Sequence, residues 1–224
     1  ERTKFDLINL FEIDQNRIEV IFQNCDPVFR NKITDAEKQK IRSVYNLPEN
    51  YLLYVGTIET RKNALLAVKA LRELDTDIQL IIIGKDTPYA EKVREYVSKY
   101  SLISRVHFLK NVTFNDLPGI YQMADLFLFP SEYEGFGIPV VEALSSGVPV
   151  IAATGSCLEE AGGAGSIYID PKDSSALAAQ IKNVLINPEK RQLMIKAGLD
   201  HLEQFSDRKI ADQLNNLYQN IIKC

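Results

Sequence analysis

Two short stretches hold side chains that could do chemistry together. "EYEGFGIPVVE" (132–142) carries Glu134 and Glu142 eight positions apart, with two glycines and a proline between them. "GTIETRKN" (56–63) carries Arg61 and Lys62 behind Gly56 and Thr57. A single helix suits the first stretch badly. Eight steps of about 100° leave the carboxylates about 80° apart around the axis and more than two turns apart along it. A turn over Glu134, Gly135, Phe136 and Gly137 fits better, with Pro139 opening a helix at its first position, where its missing N–H costs nothing. Glu142 then lies about one turn into that helix.

Arg61 and Lys62 stand just before a helical pattern, so their charge and that helix's free N–H groups favour an anion. Gly135 and Gly137 permit close backbone approach, and the first-turn N–H groups of Val140 and Val141 are expected to be unpaired. The two places make facing cradles for a diphosphate, each charge-assisted bond worth about 1.5–3 kcal/mol. Carboxylates repel phosphate but accept hydrogen bonds from vicinal hydroxyls. Two of them beside a diphosphate suggest a ligand with a sugar at each end, as in a nucleotide sugar. Taken singly, the basic pair also reads as an ordinary solvated helix start, and each glutamate as a carboxylate complementing a helix dipole.

These residues need a scaffold that brings loops together. Apolar runs recur at 51–56, 78–84, 106–109, 125–130, 149–153 and 166–169, and helical patterns fall between them at 62–74, 88–100, 115–123 and 138–146. Continuous rather than alternating hydrophobicity marks strands covered on both faces. The alternation predicts a doubly wound α/β domain with about six parallel strands. Helices over 173–186, 189–203 and 207–222 close the chain. In such a sheet ligands bind beyond the carboxyl ends of the strands, where "GTIETRKN", "GKD" (84–86), "KNVTF" with Asn111 and Val112, and "PSEYEGFG" all fall. The front differs: a helix at about 2–12, a short strand "RIEVIF", then a polar linker over 23–33. "TDAE" (34–37) has the form of a capping box and starts a helix over 35–46.

The 224 residues suffice to bury a sizeable core, and 46% are hydrophobic and 25% charged. A net charge of −4 argues against non-specific nucleic-acid binding. Three separated cysteines give neither a disulfide framework nor a zinc site, which suggests a reducing compartment. No apolar run approaches the length of a membrane span. The opening, helix-like and without Met, reads as part of a longer protein.

"YVGTIETRKN", "ADLFLFPSEYEGFGIPVVEALSSGVPVIAA" and "EEAGGAGSIYIDP" together closely resemble the C-terminal, donor-binding domain of family GT4 retaining glycosyltransferases, over about 15–210. The resemblance implies the C-terminal half of a GT-B fold, with a Rossmann-like sheet. Residues 1–33 would be the remnant of an N-terminal domain and its linker, and 34–224 the donor domain. It implies that Glu142 binds the nucleotide ribose and that Glu134, with the Gly135–Gly137 backbone, holds the donor sugar. Arg61 and Lys62 match the family's basic pair that neutralises the diphosphate. The substrate would be a nucleotide diphospho-sugar, GDP-mannose first and a UDP-sugar otherwise, with no metal and no separate cofactor. A glycan or lipid-linked acceptor would bind through the missing domain. The setting would be cytoplasmic, with room for contact at a membrane's cytoplasmic face. Thr57 departs from the family, where Arg often follows the first-strand glycine, so more of the load falls on Arg61 and Lys62. Glu159 replaces a common Pro, apparently without consequence.

Three other features are set aside. "DTD" (75–77) imitates a metal motif but precedes a strand, at the amino end of the sheet. "GGAG" (162–165) lacks the G-x-G-x-x-G spacing and leads into a strand. His107 and His201 have no partners nearby in sequence and read as structural. Two rival functions stay open: a nucleotide-sugar-binding module without turnover, and a sugar epimerase of the same fold.

Overall fold

The computed structural model describes residues 1–223. Six strands, β1 (Tyr51–Val55), β2 (Gln79–Ile83), β3 (Val106–Leu109), β4 (Leu126–Phe129), β5 (Val150–Ala153) and β6 (Ile167–Ile169), form one all-parallel sheet in the order β3-β2-β1-β4-β5-β6. The chain winds outward from β1 to β3, returns to β4 beside β1, and continues the other way. The reversal lies between β1 and β4, where loops leaving the two carboxyl ends diverge and open a crevice.

Period-two side-chain alternation explains the continuous apolar runs. Leu52, Tyr54, Leu80, Ile82, Leu126 and Leu128 bury into one core, beneath α3 (Ala64–Arg72), α4 (Pro88–Lys99) and α8 (Ser174–Leu185). Tyr51, Leu53, Ile81, Ile83, Phe127 and Phe129 point the other way, beneath α2 (Asp35–Tyr45), α5 (Leu117–Gln122) and α6 (Ile138–Ser145). The interiors of β1, β2, β4 and β5 are therefore apolar on both sides, while the edge strand β3 carries His107. The capping box forms as expected: Glu37 accepts from the Thr34 N–H at 2.7 Å, and the Glu37 N–H donates to Thr34 Oγ1 at 3.3 Å.

The front of the chain departs from expectation. α1 (Arg2–Phe11) is present, but "RIEVIF" is not a strand. Gln15–Arg17 makes a 3-10 turn capped by Asp14, and no strand lies beside 18–22 among the described residues to complete a ladder. Phe22 instead packs on Phe136 and Phe205, with ring centroids 5.7 and 5.3 Å away. The polar stretch 23–33 is anchored: Phe29 is fully buried, edge-on to Tyr121, and Cys25 is buried beside Ser145. Two helices, α9 (Pro188–Leu202) and α10 (Asp207–Lys223), end the chain, and a short α7 (Leu158–Gly162) follows β5.

One close approach fixes the strand exits. A Cβ on Gly84 would lie 1.9 Å from the Gly56 carbonyl oxygen, so only glycine lets the β2 exit press onto the β1 exit. Gly135, by contrast, faces open space. Gly84→Ala is expected to lower unfolding free energy by about 3 kcal/mol or more, while Gly135→Ala leaves it unchanged or raises it by up to about 1 kcal/mol. Paired urea denaturation of the two variants checks this. Similar losses in both would contradict the packing described.

Candidate active site

The β1 and β4 exits are tied together at the crevice. Gly56 (φ 155°) ends β1, and the space that its missing side chain leaves is bordered by the Lys62 side chain. A 3-10 turn over Thr60–Lys62 then turns the chain, held by the Tyr54 hydroxyl donating to the Lys62 carbonyl at 3.2 Å. Lys62 Nζ stands 5.9 Å from the Phe129 ring centroid. From the β4 side, the Glu132 N–H donates to the Arg61 carbonyl at 2.8 Å, and Arg61 Nη1 donates to the Tyr133 carbonyl at 2.7 Å.

Glu134 sits inside this tie. Its Oε1 lies 3.1 Å from Arg61 Nη1 and 3.8 Å from Lys62 Nζ, while Arg61 Nη2 meets Glu59 at 2.9 Å. The side chains of Glu134 and Lys62 are only 12% and 15% exposed, so water screens this pair weakly. Burial works against the Arg61 charge, but the Glu134 hydrogen bond and the Glu134 and Glu59 charges outweigh it and raise its pKa. The sequence expectation of cations aimed at an anion is thus incomplete. Two cations in a partly desolvated crevice are balanced by two carboxylates of the same chain.

Of the second cradle, the Gly135–Gly137 part is open as expected and the Val140–Val141 part is not. The Val140 and Val141 N–H groups are not free, because both donate to the Gly137 carbonyl, at 2.9 and 3.4 Å, as the first turn closes. Ile138, not Pro139, is the first helical residue, and Gly137 (φ 107°) precedes it. A Cβ on Gly137 would lie 2.6 Å from Leu158, so this glycine serves the α6–α7 packing. The N–H groups of Gly135, Phe136, Gly137 and Ile138 donate to no group among the described residues.

Glu142 belongs to a separate group on α6. It is half-buried and accepts from the Tyr121 hydroxyl at 2.9 Å. Burial pushes its pKa up, partly offset by that hydrogen bond. On the other side of the crevice, Asn111 (φ 57°) and Val112 line a cavity of about 370 Å³ with Gly84, Lys85, Asp86 and Lys110. Asp86 there holds Arg94 through both oxygens at 2.8 Å and Lys110 at 3.3 Å. Thr57 contributes backbone, its carbonyl accepting from the Glu59 N–H at 3.0 Å.

Sequence reasoning passed over four supporting groups. Ser131 is fully buried behind Glu134, and the Cys157 thiol, also buried, donates to the Glu134 carbonyl at 2.9 Å. Burial pushes that thiol up to about 11. Tyr121 is the third. Glu159 is the fourth: it accepts from the Thr154 hydroxyl and, at 3.1 Å, from the Gly155 N–H, so it shapes the β5 exit and is not inconsequential. The set-aside features are structural. His107 meets Gln79 at 2.6 Å, His201 meets the Glu160 carbonyl at 2.9 Å, and a Cβ on Gly163 would collide with the His201 ring.

A family model described as "Glycosyl transferases group 1" matches residues 35–201, which takes in every strand and each of these loops. The chain belongs to the group 1 glycosyl transferases. An Escherichia coli relative of this group 1 chain, O-antigen chain mannosyltransferase B, is 31% identical across 97% of this chain and 58% of its own length. A D-inositol 3-phosphate glycosyltransferase of Corynebacterium glutamicum is 28% identical across 97% and 55%. The chain therefore spans about half the length of the curated relatives it matches. Among solved structures, a Rickettsia africae glycosyltransferase superposes with a TM-score of 0.90 at 21% identity, covering 99% of this chain and 62% of that one. Anabaena HepE in complex with UDP and glucose gives 0.82 at 21%, covering 92% and 58%. The GT-B type of fold implied by the motifs is shared with these structures.

The raised Glu142 pKa has a definite sign. The folded protein binds that proton more tightly than the unfolded chain, so the carboxylate costs stability at neutral pH, and the cost fades as pH falls towards 4.5. Glu142→Gln, which can still accept from Tyr121, is expected to raise the thermal midpoint at pH 7 and to lose that advantage on acidification. Calorimetric scans from pH 7 to 4.5 test this; a difference independent of pH would contradict it.

Proposed function

We propose that this group 1 glycosyl transferase chain is the donor-binding half of a retaining enzyme. It moves a hexose, with mannose the leading candidate, from a nucleotide diphospho-sugar to an acceptor hydroxyl. One observation carries the reading: Arg61, Lys62 and Glu134 converge at the β1–β4 crevice, and Glu134 opens the turn before α6 whose N–H groups donate to no group among the described residues. The mannosyltransferase names of two relatives support the choice of sugar, and the UDP complexes of HepE support a nucleotide donor.

In this reading the diphosphate takes Arg61 and Lys62 from Glu134, and the freed carboxylate, with the Gly135–Gly137 backbone, receives the hydroxyls of the donor sugar. Glu142 accepts from the ribose, and Gly56, Thr57, Asn111 and Val112 border the nucleoside end. The bond between anomeric carbon and phosphate oxygen breaks with both electrons leaving on the diphosphate. The acceptor oxygen bonds that carbon on the same face and gives its proton to the departing diphosphate oxygen. Negative charge on the leaving oxygen grows along this path, and fixed cations stabilise it without reorganising. In this reading these cations do the work that a metal would otherwise do. The acceptor, a glycan or a lipid-linked saccharide, is supplied from outside this chain, on the cytoplasmic side. No helix among the described residues is long and apolar enough to cross a membrane.

In the full-length protein, Lys62→Ala is expected to lower kcat by about 100-fold or more, with a smaller change in KM. A raised KM with normal kcat would reduce Lys62 to uniform binding. Glu142→Gln is expected to weaken nucleoside diphosphate binding by about ten- to a hundred-fold, the loss of one charged hydrogen-bond acceptor. Calorimetry with GDP and UDP measures this and identifies the base; an unchanged affinity would remove the ribose role. A chain that binds the nucleotide sugar yet transfers nothing in its full-length context would favour the non-catalytic binding module.

A further inference from the structure

Ser131 is the fully buried hydroxyl at the end of β4, directly behind the carboxylate around which the crevice is built. Its Oγ has three acceptors within reach: Glu134 Oε1 at 3.0 Å, the Arg61 carbonyl at 3.2 Å and the Tyr133 carbonyl at 3.3 Å. A hydroxyl has one proton to give. Both carbonyls already hold a better donor, the Glu132 N–H on Arg61 at 2.8 Å and Arg61 Nη1 on Tyr133 at 2.7 Å. The carboxylate is also the stronger acceptor, since a bond to an ionised group is about twice as strong as one between neutral groups. We infer that Ser131 is a positioning residue, whose hydroxyl proton goes to Glu134 and fixes the direction of its carboxylate.

Geometry makes this bond different from the other contacts of Glu134. Arg61 is 44% exposed, and Lys62 at 3.8 Å is beyond hydrogen-bond reach, so both cations can turn to an incoming anion. Ser131 cannot leave. It follows Pro130 directly after a strand buried on both faces, and no water reaches it to compete. From the other side, the Cys157 thiol holds the Glu134 carbonyl at 2.9 Å. Backbone and side chain of Glu134 are thus pinned separately; when Arg61 turns away and frees the Tyr133 carbonyl, the ionised carboxylate is still the stronger acceptor for the Ser131 proton. Pre-orientation of this kind is what a sugar-binding carboxylate needs, because a small misplacement of a contact group costs a large factor in rate.

The proposal rests on the glycosyltransferase reading for its kinetic effect, but its structural part stands without it. Ser131→Ala in the full-length protein is expected to lower kcat at least tenfold, and to leave the unfolding midpoint nearly unchanged and nucleoside diphosphate affinity within about twofold. Because Ser131 acts through Glu134, the same change made on Glu134→Ala is expected to have no further effect on kcat. Equal losses in both backgrounds, or no loss in either, would overturn the proposal. Crystal structures of the unaltered protein and of Ser131→Ala, each with a nucleoside diphosphate bound so that the cations have turned from Glu134, decide the structural part independently of turnover. The Glu134 carboxylate is expected to rotate away from its direction in the unaltered protein; an unmoved carboxylate would overturn the assignment. Absence of transfer by the unaltered full-length protein, with Glu134 displaced in the variant, would count against the glycosyltransferase reading alone.

Discussion

A single carboxylate held between two cations joins the halves of this sheet where its winding reverses. Arg61 and Lys62 come from the β1 exit and Glu134 from the β4 exit, so their ion pairs make the two loops a common wall. The backbone supports that joint from both sides, through the Glu132 N–H on the Arg61 carbonyl and the Arg61 guanidinium on the Tyr133 carbonyl. The strands beneath are themselves paired, Leu52 with Leu126 and Leu53 with Phe127, so the ion pairs link loops whose bases the sheet already holds together. The close contact of Gly84 on Gly56 performs the matching task between β2 and β1, and thereby sets where Lys62 can stand.

The arrangement places function and stability in opposition at named positions. The half-buried Glu142 on α6 packs against Tyr121, and burial raises its pKa, so keeping it charged there costs stability. In the proposed reading that charge serves the nucleotide ribose. The crevice solves the complementary problem. Two cations close together would repel each other and a helix N-terminus, and internal carboxylates relieve both. An anion that enters must therefore outcompete Glu134 for them, which a diphosphate with several negative charges can do and a singly charged ion does poorly.

Much of this was legible in the sequence because the relevant signals are local. Continuous apolar runs specified six buried strands to within a residue or two, and Thr34 with Glu37 announced α2. Helix α7 was missed because five residues rich in Gly and Ala give no periodicity to read. "RIEVIF" misled for the opposite reason: β-rich composition signals a strand only where a neighbour exists to pair with it. At the site, residue types and strand exits singled out Glu134, Arg61 and Lys62, which the fold brings together, and Glu142, which it sets apart against Tyr121. The internal ion pairing was invisible, since it joins positions some seventy residues apart through a turn whose path no motif encodes. The Val140 and Val141 N–H groups, expected to be free, are taken because the first turn of α6 closes on Gly137. Ser131 and Cys157 carried no signal at all, as their roles depend on burial and on which acceptors remain unfilled.

In the proposed reading, Arg61 and Lys62 hold the second phosphate of a nucleotide at the β1–β4 crevice. The most direct measurement is the affinity difference between a nucleoside diphosphate and its monophosphate, by titration calorimetry on the unaltered protein and on the Arg61→Ala/Lys62→Ala variant. The account predicts that the diphosphate binds about tenfold or more tightly than the monophosphate, and that the variant loses this increment while still binding the monophosphate. An increment that survives intact in the variant would place the diphosphate elsewhere and contradict the account.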